Sequence, residues 1–139
     1  MKTRFFIPFM ALALSLALLS MTNLTSNYQD SEPWEVPAKY EKMENPYAGA
    51  TDSDNIGRAL YSKHCKSCHG SKGKGDGPKA DSVDTPIGDF TVASFQDQSD
   101  GSLYYKTFIG RDDMPSFQKK VKEEEDQWMI VNYLRTLAK

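Results

Sequence analysis

The only two cysteines of the chain stand three residues apart and are followed at once by histidine, as Cys65-Lys66-Ser67-Cys68-His69. Side chains at i and i+3 share one side of a helical turn, so both thiols project one way with an imidazole beside them. Two cysteines cannot build a disulfide-stapled scaffold. A structural zinc site takes four ligands, usually as two separated pairs. Here His64, Cys65, Cys68 and His69 crowd together, and the sequence holds no second pair. A thioredoxin-like redox pair needs a preceding strand in a βαβ unit, and no alternating strand of convincing length is present. A plain disulfide leaves His69 unexplained.

Covalent haem attachment accounts for all three residues. Cys65 and Cys68 are spaced to bond the two vinyl groups of one porphyrin, and His69 follows in place to ligate the iron. The second axial position then decides the chemistry. A thioether there gives a six-coordinate, high-potential electron carrier, whereas an open face gives ligand binding or catalysis. His64 adjoins Cys65, cannot reach the other face, and reads as a solvent-exposed helix residue. Met129 falls beside an apolar helical stripe and reads as core; Met43 lies in a proline-punctuated stretch. Met114 sits in the loop Gly110-Arg111-Asp112-Asp113-Met114-Pro115-Ser116, far enough beyond His69 to travel round a haem, with Pro115 stiffening the backbone. Met114 is the expected sixth ligand.

The surrounding pattern is helical. Thr51, Asp52 and Ser53 offer caps to a helix with Ile56, Gly57, Leu60 and Tyr61 on one face. Leu103 to Ile109 suits a short helix after Asp100-Gly101-Ser102. Glu123 to Asp126 place negative charge at the start of a last helix, whose stripe is Ile130, Tyr133, Leu134 and Leu137. The fold class is all-α with long loops, as one domain over residues 51–139. Residues 26–50 carry Pro33, Pro37 and Pro46 with scattered aromatics, Trp34 among them. They read either as a flexible tether or as an arm that packs on the domain or on a partner. Residues 1–25 belong to export. Lys2 and Arg4 precede an uncharged run from Phe5 to Leu19, which suits a cleaved signal peptide or, extended through residue 21, a retained membrane anchor. Either way the chain is expected outside the cytoplasm, in or facing a periplasm. Lys+Arg 17 against Asp+Glu 19 argues against a nucleic-acid partner.

Taken in order, Gly57-x-x-x-Tyr61-x-x-x-Cys65, Cys68-His69-Gly70, Gly73 to Pro78, Gly110-Arg111 through Met114-Pro115, and Ile130-Tyr133-Leu134 resemble a monohaem class I c-type cytochrome of the bacterial respiratory branch. The resemblance spans about residues 51–139. It implies three main helices and their loops wrapped round one haem c, with the last helix crossing the first at Gly57. It implies that Pro78 packs near His69 and offers its carbonyl to the other imidazole nitrogen. It implies that Asp89, Phe90 and Phe95 line the pocket, and that Arg111 pairs with a propionate. The function implied is one-electron transfer rather than catalysis, with a quinol-oxidising complex as donor and a terminal oxidase or reductase as acceptor. A fixed subunit of a membrane respiratory complex, or a haem enzyme or gas-binding module with a labile methionine, are the alternatives. The glycine loop follows a helix and lacks the Gly-Lys-Ser/Thr ending of a phosphate cradle. Lysines 63, 66, 72, 74 and 79 on the cysteine side, and 119, 120 and 122 beyond Met114, suggest a basic rim that steers the chain to an acidic docking face.

Overall fold

The computed structural model describes residues 34–139, so the export or anchor segment expected at 1–25 and the start of the 26–50 arm lie outside the described residues. Six α-helices occur among the described residues: α1 Ala38–Glu41, α2 Ile56–His64, α3 Lys66–His69, α4 Ala93–Gln96, α5 Asp100–Phe108 and α6 Glu124–Arg135. A short 3-10 turn spans Ala80–Ser82, and no strand forms among these residues beyond the isolated bridge between Arg111 and Met114. None of these helices is long and apolar enough to cross a membrane.

Local chemistry fixes the helix starts. The Asp52 carboxylate accepts from the N–H groups of Ile56 at 2.7 Å and Gly57 at 2.9 Å, two of the donors a helix N-terminus leaves free. Glu124, Glu125 and Asp126 fill the first turn of α6, where they complement the macrodipole. Helix α5 begins earlier than the sequence suggests. The Ser99 hydroxyl accepts from the Ser102 N–H at 3.1 Å, so the polar Asp100-Gly101-Ser102 becomes the first turn instead of a lead-in.

Helices α2 and α6 cross at Gly57. A Cβ on Gly57 would stand 2.1 Å from the Met129 carbonyl oxygen and 3.1 Å from the Tyr133 Cβ, so the approach admits only hydrogen. Helix α6 is buried more widely than one stripe requires: Trp128, Met129 and Val131 are buried along with Ile130 and Leu134. The reason is that α6 packs against both α2 and α5. Leu103, Phe108, Phe117, Val121, Trp128, Ile130 and Val131 form one core, while Tyr61, Cys65 and Leu134 form a smaller one.

The described part of the arm lies on the domain. Helix α1 packs on α5, with the Tyr40 and Tyr105 rings 4.7 Å apart. Asn45 donates to Asp100 at 2.9 Å and to Asn132 at 2.8 Å, and Asn132 donates to the Tyr47 carbonyl at 2.8 Å.

Candidate functional site

A cavity of about 620 Å³ opens beside the smaller core. Helix α2 runs through Cys65 directly into α3, and this segment contributes Cys65, Cys68 and His69 to one cavity. The loop that follows holds the segment in place. Gly77 N–H donates to the Cys68 carbonyl at 3.0 Å and Lys79 N–H to the Ser67 carbonyl at 2.8 Å. The buried Tyr61 hydroxyl donates to the Gly70 carbonyl at 2.7 Å. Burial pushes the Tyr61 phenol well above its ordinary range, so it stays a neutral donor.

Both thiols are free. Burial, with a smaller contribution from Cys68, pushes the Cys65 thiol up to about 12, so it is protonated at neutral pH. Burial pushes the His69 imidazole down to about 4, which leaves it neutral with a lone pair to offer. The Phe90 ring stacks on His69 with centroids 4.4 Å apart and 28° between planes, and Phe95 stacks on Phe90 at 4.4 Å. These rings limit how far the imidazole can turn.

Met114 and Pro115 line the same cavity from the loop between α5 and α6. Arg111 N–H donates to the Met114 carbonyl at 2.9 Å and Met114 N–H returns a bond to the Arg111 carbonyl at 2.8 Å. The Asp113 carboxylate accepts from Asp84 N–H at 3.1 Å, and from the Thr85 N–H and hydroxyl at 2.9 Å each. These bonds hold the Asp113 carboxyl below the usual carboxylate range. Ser116 donates to the Phe108 carbonyl at 2.7 Å, so the loop is tied on both sides of the sulfur.

Cys65, Cys68, His69, Phe90, Phe95, Arg111 and Met114, scattered over fifty residues, all line this cavity. Three expectations need correction. Pro78 is exposed and does not line the cavity, and His69 Nδ1 is buried with no hydrogen-bond partner, so the expected bond to the Pro78 carbonyl is not formed. The bonds from Gly77 and Lys79 run the loop past the carbonyl end of the attachment helix and leave Pro78 turned outward. Asp89 also stays outside: its carboxylate accepts from Thr91 N–H at 2.8 Å and stands 3.8 Å from Lys139 Nζ. His64 is half-buried and lines the cavity, its ring centroid 5.9 Å from that of Phe117 and its Nε2 buried without a partner. The helix turns His64 toward Phe117, which adjacency in sequence does not reveal.

Sequence reasoning missed Trp34 and Lys106, which also line the cavity. The Arg111 guanidinium lies 4.8 Å from the Trp34 ring centroid and its Nε 3.1 Å from the Asp112 carboxylate. Nothing in the pattern of the arm singles out Trp34; a lone aromatic among prolines has no period to read.

The donor set fits a haem. Two free thiols and a neutral imidazole come from one short segment, a thioether from a fixed loop, and the walls join aromatic and aliphatic side chains to a polar, lysine-bearing edge. The volume is that of a pocket for a cofactor-sized group.

The chain is similar to known proteins. The profile of the family described as Cytochrome C oxidase, cbb3-type, subunit III matches residues 52–134. Among solved structures, the KustC0563 c-type cytochrome superposes with a TM-score of 0.52 at 27% identity, covering 60% of this chain and 98% of that one. The Kuenenia stuttgartiensis reducing HAO-like protein complex Kustc0457/Kustc0458 gives a TM-score of 0.56 at 24% identity, over 81% of this chain and 54% of that one. The chain thus spans about half the length of the second relative, and that likeness speaks for the fold alone. No curated protein matches.

Proposed function

The chain belongs to the family described as cytochrome c oxidase, cbb3-type, subunit III, and from that premise we propose that it carries single electrons outside the cytoplasm through one covalently attached, His/Met-ligated haem c. The observation that carries this reading is the convergence of Cys65, Cys68, His69 and Met114 on one cavity. When bound, haem supplies a one-electron iron couple whose potential follows its axial ligands and surroundings. Cys65 and Cys68 would hold the group through thioethers. His69, neutral and flanked by Phe90, would present one nitrogen as ligand. Met114 would present its sulfur from a loop closed by Asp113 and Ser116. Because both ligands sit on segments already tied by hydrogen bonds, little in the chain has to rearrange between redox states.

The partner is read from the rim. Lys63, Lys79 and Lys120 are exposed and line the cavity. They would steer the chain to an acidic docking face in brief, salt-sensitive encounters. A place as a fixed subunit of a membrane respiratory complex is the second reading, favoured by the family description, which names an oxidase subunit. Membrane fractionation with pull-down separates the two.

Visible spectroscopy tests the reading. The ferric protein should show the weak far-red band of sulfur-to-iron charge transfer, and Met114→Ala should abolish it while haem stays attached. A band unchanged in Met114→Ala would overturn the assignment of Met114.

A further inference from the structure

The matched family segment begins at residue 52, yet the cavity has a wall from before it: Trp34 lines the cavity beside Arg111 and Lys106. The Trp34 ring lies 4.8 Å from the Arg111 guanidinium and 6.0 Å from Lys106 Nζ. Both distances fall within cation–π range. Lys106 is half-buried and donates to Gln98 Oε1 at 2.5 Å, which fixes its position under the ring.

The rest of the arm is fastened to the domain. Asn45, which does not line the cavity, bonds to Asp100 and Asn132, while Asn132 bonds back to the Tyr47 carbonyl. Asp100 in turn accepts from Arg135 Nε at 2.8 Å, so the arm is tied to α5 and α6 together. Gly101 shows how closely it approaches: a Cβ there would stand 1.9 Å from the Tyr40 carbonyl oxygen and 2.7 Å from that of Met43. Glycine is a poorer helix former than alanine. In α5 that cost is offset by letting the arm's backbone come down onto the helix.

We propose that the arm is a wall of the redox cavity, with Trp34 held over its cationic edge by Arg111 and Lys106 so that water is kept from the haem and its reduction potential is raised. The inference rests on the haem reading above. Excluding water destabilises the more highly charged ferric state relative to the ferrous state, so a dry pocket favours reduction.

The test uses the full-length, haem-loaded chain. Trp34→Ala should shift the electron-exchange equilibrium with a fixed redox mediator about tenfold toward the ferric form, which is 59 mV for one electron. Trp34→Phe, which keeps a ring at the mouth, should recover most of the shift. Asn45→Ala, at a residue that does not line the cavity, should move the potential in the same direction and speed tryptic cleavage of the arm at Lys39 and Lys42. A wild-type potential in Trp34→Ala with its haem spectrum intact would overturn the proposal. So would an Asn45→Ala variant whose arm is cut faster while its potential stays put. A colourless wild-type chain would instead overturn the haem reading, and this inference with it.

Discussion

Denying the chain its haem should unfold it. The perturbation is a Cys65→Ala, Cys68→Ala double variant made without haem attachment. The folded structure would have to keep a cavity of about 620 Å³ beside its smaller core or collapse into it. Cavities in cores cost roughly 24 cal/mol per Å³, which puts a dry hole of this size at about 15 kcal/mol. The mouth is open to solvent and the lysine-bearing edge can be hydrated, so that figure is an upper bound. Domains of this size are stable by only about 5–15 kcal/mol, so a cost of even a third of that bound, about 5 kcal/mol, takes a large share of the margin. Circular dichroism on heating gives the assay. The double variant should show reduced helical signal and a broad, non-cooperative melt, while the loaded protein melts sharply. A cooperative transition in the haem-free variant would show that the two helix-lined cores suffice, and the reasoning would fail.

Gly57→Ala should lower the stability of the loaded protein by about 3 kcal/mol or more, because overpacking at a backbone contact forces α2 and α6 apart; a melting temperature within a few degrees of wild type would contradict the crossing. Burial, Lys63 and Lys120 hold the His64 imidazole below its ordinary value of 6.5. The unfolded chain therefore binds the more protons, and the contribution of His64 to stability is complete above pH 6.5 and lost as pH falls through the lower folded value. Denaturant midpoints between pH 7.5 and 5 should fall less steeply in His64→Gln, and identical slopes would count against this. Electron-transfer rates to an acidic partner should drop as salt shortens the screening length to ~10 Å at 0.1 M, and Lys120→Glu should weaken that dependence; rates indifferent to salt would remove the steering argument.

Much of this site was legible because its chemistry is local. Cysteines at i and i+3 followed by histidine need one helical turn to converge, and α2 running into α3 supplies it. Gly57 was legible as a crossing point only through family resemblance, since a glycine in a helix is otherwise an unexplained cost. The fixed loop around Met114 could be anticipated from Pro115, but the Asp113 bonds to Thr85 that anchor it join segments far apart in sequence, which no periodicity encodes. The same limit hid Trp34, whose cationic neighbours Lys106 and Arg111 lie far along the chain and meet it only in three dimensions. Pro78 and His64 went the other way because residues one position apart can face opposite surroundings: the Gly77 and Lys79 bonds flank Pro78, and the turn of α2 carries His64 toward Phe117.

The most direct measurement is intact mass together with the oxidised and reduced visible spectra of the chain matured in an exporting cell. One haem's mass above the bare polypeptide, with the sharp reduced bands of a low-spin six-coordinate iron, is the expected result. A colourless protein at the mass of the polypeptide alone would contradict the account.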